Sequence, residues 1–335
     1  MTDAKTEPLL SVRDLVVEFP TRRGVLRALD RVSFDIMPGE VLGMVGESGA
    51  GKSITGASII GLIEPPGRIA SGEIRLKGER IDTLGPEAMR RVRGRRIGMV
   101  FQDPLTSLNP LYTVAQQLTE TIRTHIDISK GEARKRAIAL LDRVGIPAAA
   151  RRIDDYPHHF SGGMRQRVVI ALALCAEPEL VIADEPTTAL DVSVQSQIIE
   201  VLKDICAERG AAVMLITHDM GVIAETADRV AVLYAGRMAE IGPVREVITE
   251  ALHPYTAGLM GSIPTLTQET DRLVQIPGAM PRLHAIPQGC AFNPRCERAF
   301  APCRETRPDL ISREGGRDVA CWLYDPVRTG ELRDA

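Results

Sequence analysis

"GESGAGKS", residues 46–53, follows the apolar run "VLGMV" (41–45) and precedes "ITGASIIGLI" (54–63). Its spacing is G-x-x-x-x-G-K-S, and the order of apolar run, glycine loop and helix-compatible segment predicts strand, loop, helix. In such a loop the backbone N–H groups of Gly46, Glu47, Ser48, Gly49, Ala50 and Gly51 can converge on phosphate oxygens. The helix that follows turns its positive end toward the same oxygens. Lys52 is a mobile point charge for the β- and γ-phosphates, and the Ser53 hydroxyl can ligate Mg²⁺. A glycine turn of no function would leave this combination unexplained.

A second apolar strand, "LVIADEP" (180–186), ends in two carboxylates. Asp184 at a strand end can hold Mg²⁺, and Glu185 beside it can orient or deprotonate an attacking water. Together the two stretches predict a chain that binds and hydrolyses a nucleoside triphosphate.

Composition narrows the class. The chain has 335 residues and a net charge of −3, so no global pull toward nucleic acid is expected. No apolar run approaches the roughly 20 residues of a membrane helix. The start "MTDAKTEPLLSVRD" lacks the cationic flank and apolar core of a signal peptide. A cytoplasmic setting is expected, with the six cysteines reduced or acting as ligands.

Predicted strands "LSVRDLVVEF" (10–19), "EVLGMVG" (40–46), "RIGMVFQ" (96–102), "ELVIADE" (179–185), "AAVMLITH" (211–218) and "RVAVLYAG" (229–236) alternate with helical stretches. The helical period is clearest over 113–126, 130–146 and 192–210. This alternation predicts an α/β fold with a largely parallel core sheet. From about 263 the chain becomes proline-rich and cysteine-bearing with little periodicity, which predicts a small, loop-rich C-terminal extension.

"FSGGMRQR" (160–167) resembles the signature motif of ABC-type ATPases, with Phe160 and Met164 where the commonest form has Leu and Gln. Ser161 before two glycines also reads as a helix N-cap. The remaining landmarks follow in that family's order: Gln102 in "VFQDP" as the Q-loop glutamine, Asp191 closing "TTALD" as the D-loop, and His218 in "LITHD" as the switch histidine. Phe19 lies where an aromatic stacks on adenine. The resemblance implies a P-loop NTPase of ABC ATPase type, with a mixed sheet core and a helical subdomain over about 103–178. The nucleotide-binding domain would span 1–262 and the extension 263–335.

By that resemblance two such domains pair head to tail, and Ser161, Gly162, Gly163 and Met164 face the partner's nucleotide. Glu185 would activate water, His218 would contact the γ-phosphate, and Gln102 would join Ser53 and Asp184 at Mg²⁺. The longer strings "FQDPLTSLNP", "HPYTAGL" and "IPGAMPRLHAIPQGCAFNPRC" are similar to the ATP-binding subunits of oligopeptide and dipeptide importers. ATP and Mg²⁺ are the implied cofactors. The implied partners are a second, related ATPase in a heterodimer, two transmembrane permease subunits and an extracytoplasmic solute-binding protein. The implied location is the cytoplasmic face of the inner membrane, reached through the permeases. Alternatives are the same motor serving nickel, glutathione or a sugar, or a soluble nucleic-acid or ribosome-associated ATPase. The basic run "RRVRGRR" (90–96) reads as a solvated face, so no nucleic-acid partner is expected.

Cys290, Cys296, Cys303 and Cys321 lack the paired C-x-x-C spacing of a zinc ribbon. Four thiolates on proline-punctuated loops suit a 4Fe–4S cluster, which some members of the resembled family carry. Zinc and free buried thiols are the other two readings. Cys175 and Cys206 read as ordinary apolar helix positions.

Overall fold

A computed structural model of the chain describes residues 7–22, 24–187, 192–262 and 276–325. They fall into two compact units. The first is built chiefly from Leu76–Ile216 with Ile36–Val41, and the second from Ser11–Asp35, Leu42–Arg75 and the chain from Thr217 onward.

In the first unit the strands Ile97–Val100, Leu180–Asp184 and Ala212–Ile216 lie side by side and parallel. Ile97 faces Leu180, and Leu180 in turn faces Ala212. Every residue of the last two strands is buried. Burial on both faces explains why their sequences are continuous apolar runs rather than alternating ones. The segment between the first two strands is helical: Pro104–Ser107, Val114–His125, Lys130–Arg143, Ala149–Arg152 and Gly162–Leu174. Thr113 with Gln116, and Ser129 with Glu132, form reciprocal capping boxes that start the second and third of these. Leu118 and Ile122 on one helix, and Ala133, Ala137, Leu140 and Leu141 on the next, are buried at helical spacing. In the basic run, Arg95 donates to Ala176 O at 2.9 Å and Arg96 pairs with Glu79 and Glu179. These two arginines tie the run to its own unit.

The second unit holds the strands Gly24–Ile36, Leu10–Thr21 and Arg68–Leu76 side by side in that order. It also holds Val41–Val45, which runs parallel to Arg229–Tyr234, with Leu42 opposite Arg229. Arg229–Tyr234 turns back antiparallel into Arg237–Pro243. Ala235 and Gly236 between them both have positive φ, 48° and 75°. Those angles belong to the two-residue turn whose twist matches a hairpin.

The extension is more ordered than its sequence predicts. Its strands Arg317–Val319 and Ile311–Arg313 pair with each other, and Val319 lies opposite Glu240 of Arg237–Pro243. Three-residue strands are too short for a period of two to register, which is why the sequence reads as loop there. Buried charge fastens the extension as well. Asp30, 7% exposed, accepts from Arg237 Nε at 3.0 Å and pairs with Arg307 at 2.7 Å. Burial alone would raise the Asp30 pKa, but Arg307 and Arg237 hold it below the ordinary carboxylate value. Tyr234, Tyr255 and Phe292 add a packed aromatic trio, with ring centroids 4.6 to 5.4 Å apart. Among the described residues no helix is long and apolar enough to cross a membrane.

Candidate nucleotide-binding site

The second unit carries the predicted phosphate loop, residues 46–53. Gly46 has φ +149°, and a Cβ there would sit 2.3 Å from the Leu233 carbonyl oxygen. Gly51 has φ +107° and immediately precedes the helix Lys52–Ile59. Only glycine tolerates both the angles and the crowding, so the loop's spacing is a backbone requirement. Lys52 is buried, and its Nζ donates to Gly46 O at 2.8 Å and Glu47 O at 3.2 Å. The ammonium thus lies inside the loop, on the carbonyls that bracket its first turn. Ser48, Gly49 and Ser53 are exposed at the loop's rim and helix start.

His218 and Phe19 belong to the same unit. Thr217 N donates to Met44 O at 3.3 Å, two residues before Gly46. Asp219 N donates to the Thr217 hydroxyl at 3.0 Å, and the Asp219 carboxylate caps the helix Met220–Thr226 through Gly221 and Val222. That tight turn presents His218 to solvent. Phe19 is half-buried, with its ring edge against Gly67: a Cβ on Gly67 would lie 2.5 Å from Phe19 Cε1.

The first unit carries the carboxylates. Asp184 is buried at the end of its strand. Glu185 follows in the left-handed region, φ +46°, with its N–H donating to Ile216 O at 2.8 Å. Such a conformation is strained for a non-glycine residue and re-aims the side chain away from the strand. Gln102 Nε2 donates to Glu185 Oε2 at 3.0 Å, so the two residues meet directly. Ser161 caps the helix Gly162–Leu174, accepting from Met164 N at 3.4 Å. Gly162 and Gly163 are its first helical residues, and the Arg152 guanidinium lies over the Phe160 ring at 4.7 Å. Asp191 lies outside the described residues.

Two contacts to the phosphate loop were not assigned from sequence. Glu47 N donates to the Tyr255 hydroxyl at 2.9 Å, and Arg295 Nη1 donates to Glu47 Oε1 and Oε2 at 2.9 and 3.1 Å. Both partners sit in strings the sequence singles out, "HPYTAGL" and "FNPRC", but their roles depend on long-range folding. His253 explains the first string. Its Nδ1 accepts from Tyr255 N at 3.0 Å, capping the helix Pro254–Gly261 and setting Tyr255 in place.

Burial pushes the His253 pKa down to about 4. The unfolded chain, with an ordinary histidine near 6.5, then binds the proton more readily than the folded one. Stability from this group is therefore complete above about pH 6.5 and is lost as pH falls toward 4. Between pH 7 and pH 5 the loss is expected to be about 2 kcal/mol. Urea unfolding at the two pH values checks it, and His253→Asn, which can still cap but does not titrate, should flatten that share of the slope.

The four C-terminal cysteines line one cavity, together with Phe292, Trp322 and Leu323. Burial pushes Cys290 up to about 11 and Cys321 up to about 12, and raises Cys296 as well. Four thiols are the right donor chemistry for iron–sulfur or zinc. Among the described residues, no group of three His, Cys, Asp or Glu side chains stands at metal-holding geometry in this structure. Cys175 and Cys206 are each pushed up to about 12 by burial and behave as apolar helix positions.

Residues 29–188 match the ABC transporter family, and residues 239–303 match the C-terminal region of oligopeptide/dipeptide transporters. The dipeptide transport ATP-binding protein DppD of Bacillus subtilis is 46% identical over 334 residues, 98% of this chain and 100% of its own. The oligopeptide transport ATP-binding protein OppD of the same organism is 48% identical over 320 residues, 95% of this chain and 89% of its own. Among solved structures, a dimeric ATP-binding cassette in a post-hydrolysis state, bound to ADP and Pi, aligns with TM-score 0.64 at 28% identity. That alignment covers 70% of this chain and 99% of the cassette. On these likenesses the chain belongs to the ABC transporter family, as an ATPase that carries the oligopeptide/dipeptide transporter C-terminal region.

Proposed function

We propose that this chain is the ATP-hydrolysing subunit of an importer for di- or oligopeptides. It works on the cytoplasmic face of the inner membrane, beneath two permease subunits, beside a second, related ATPase. An extracytoplasmic binding protein delivers the peptide. The loop Gly46–Gly51 and Lys52 bind the triphosphate, and Glu185 takes the proton from the attacking water. Ser53, Asp184 and Gln102 would hold Mg²⁺, which when bound neutralises charge on the phosphate oxygens. His218 contacts the γ-phosphate, Phe19 meets the adenine, and Ser161–Met164 with Asp191 serve the nucleotide of the paired ATPase.

One observation supports transport coupling above all. Gln102, in contact with Glu185, lies in a stretch in which Phe101, Leu105, Leu111 and Tyr112 expose 42, 63, 79 and 49% of their surface. Clustered exposed apolar side chains mark a protein-docking face. Here that face begins beside the residue that touches the hydrolytic carboxylate. A helix of a permease seated on it can move Gln102, and through it Glu185.

The test is to tag the chain in its native cell, solubilise gently and identify what co-purifies. Two permeases and a second ATPase are expected. Leu111→Asp should reduce permease recovery by tenfold or more while ATP affinity of the purified chain stays within about twofold, since a charge buried at an interface costs more than 1.4 kcal/mol. Recovery of ribosomal or DNA-bound proteins without any permease would instead identify a soluble factor.

A further inference from the structure

We propose that Arg295 is a positioning residue of the phosphate loop: it cancels the charge of Glu47 and fixes the loop's first turn for ATP. The inference rests on the reading that this loop binds ATP. Glu47 is an odd residue for its place. A carboxylate in the second position of a loop that must accept a triphosphate repels the ligand, and at short range such repulsion is felt even through partly solvated protein.

The structure disposes of that charge in one way. Arg295 has a side chain only 7% exposed, and its Nη1 reaches both oxygens of Glu47, which is itself 29% exposed. The guanidinium is held in place from every side. Nε donates to Pro277 O at 2.8 Å, and Nη1 also reaches the Tyr234 hydroxyl at 3.3 Å. The Tyr234 and Phe292 rings each lie 5.8 Å from its Cζ. A planar cation braced this way is pre-organised, so it pairs with Glu47 at little entropic cost.

The rest of Glu47 is equally engaged. Its N–H goes to Tyr255, and its carbonyl accepts from Ala50 N at 3.0 Å and from Lys52 Nζ at 3.2 Å. Farther along the loop, a Cβ on Gly49 would lie 3.1 Å from Met280 Cε, so the chain after 276 passes directly over it. Tyr255, Met280 and Arg295 all fall within the residues 239–303 that match the transporter C-terminal region, whereas the loop falls within 29–188. A general phosphate loop thus receives its support from the region special to this class. The extension is a brace for the ATP site.

Removing one partner of a buried pair leaves an uncompensated charge, whereas removing both does not. That asymmetry supplies the test. Mg²⁺-ATP is titrated into the purified full-length wild type, Arg295→Gln, Glu47→Gln and the double variant, and thermal unfolding of each is recorded without nucleotide. Arg295→Gln is expected to raise the Kd about tenfold over wild type, whereas in the Glu47→Gln background the same change should alter the Kd by less than threefold. Equal affinity in wild type and Arg295→Gln overturns the proposal. So does a tenfold loss that Glu47→Gln fails to rescue, because Arg295 would then be only a strut. Should Arg295→Gln not fold, Arg295→Lys answers the same question: it keeps the charge but not the planar, braced geometry, so a Kd raised less than tenfold is expected, and a loss of tenfold or more that Glu47→Gln fails to rescue overturns the proposal. A wild type that does not bind ATP would refute the nucleotide reading itself, a different failure from any of these.

Discussion

Glu185→Gln lowers ATP turnover by about a thousandfold while ATP binding stays within about threefold of wild type. The magnitude is that of removing a positioned general base. On the proposed reading, Glu185 is that base. Asp184 is buried at the strand end, whereas Glu185 is twisted to φ +46° and aimed out of the strand, fixed by its N–H to Ile216 O. Gln102 donates to its carboxylate at 3.0 Å. A glutamine at 185 keeps the size and the carbonyl acceptor for that bond, so the site's shape survives and only proton abstraction is lost. Hydrolysis is measured on the assembled complex, with the paired ATPase's own site disabled so that it cannot mask the effect. Accumulation of unhydrolysed ATP on the variant accompanies the loss. Turnover at the wild-type rate would remove Glu185 from the chemistry.

Gly46→Ala weakens ATP binding by a hundredfold or more. Two costs add there. The backbone sits at φ +149°, outside the region an alanine adopts, and the new methyl would lie 2.3 Å from the Leu233 carbonyl oxygen. Leu233 belongs to the buried strand Arg229–Tyr234, hydrogen-bonded on both sides, and cannot retreat. Left-handed strain of 1–2 kcal/mol plus overpacking of similar size sums to about 3 kcal/mol, which is roughly a hundredfold in affinity. Gly210→Ala is the control. It too has positive φ, +65°, but nothing lies within 4 Å of its Cβ, so it should cost only about 1 kcal/mol of stability and leave ATP binding unchanged. Titration of ATP into both variants, with urea unfolding alongside, separates crowding from backbone strain. Equal losses in the two would mean that strain alone governs the loop.

The strands that a sequence shows best are those whose burial is complete. Leu180–Asp184 and Ala212–Ile216 are apolar at nearly every position because both faces are covered, and they stand out unaided. Gly24–Ile36 is not among the predicted strands, since it mixes exposed and buried positions and carries Arg27, Asp30 and Arg31. Asp30 proves to be a buried anchor for Arg237 and Arg307, a role visible only when residues some 200 and 280 positions away are brought beside it. The four cysteines also depend on the fold. Their spacing in sequence does not show that they meet, and folding gathers all four around one cavity.

By itself the sequence offered the proposed parts of the site whose chemistry is local. The phosphate loop needs glycines, a lysine and a serine at fixed spacing, because backbone N–H groups must converge over eight consecutive residues. The carboxylate pair and the serine-capped signature helix are likewise complete within a few residues. Only the tertiary structure decided what holds those parts in place. Tyr255 and Arg295 lie 208 and 248 residues beyond Glu47. Nothing in the residue types near either end records that separation being closed. A hydrogen bond or an ion pair is a relation in space. A motif bound by covalent neighbours can be read along the chain, but a contact closed by folding a sheet and packing three aromatic rings cannot.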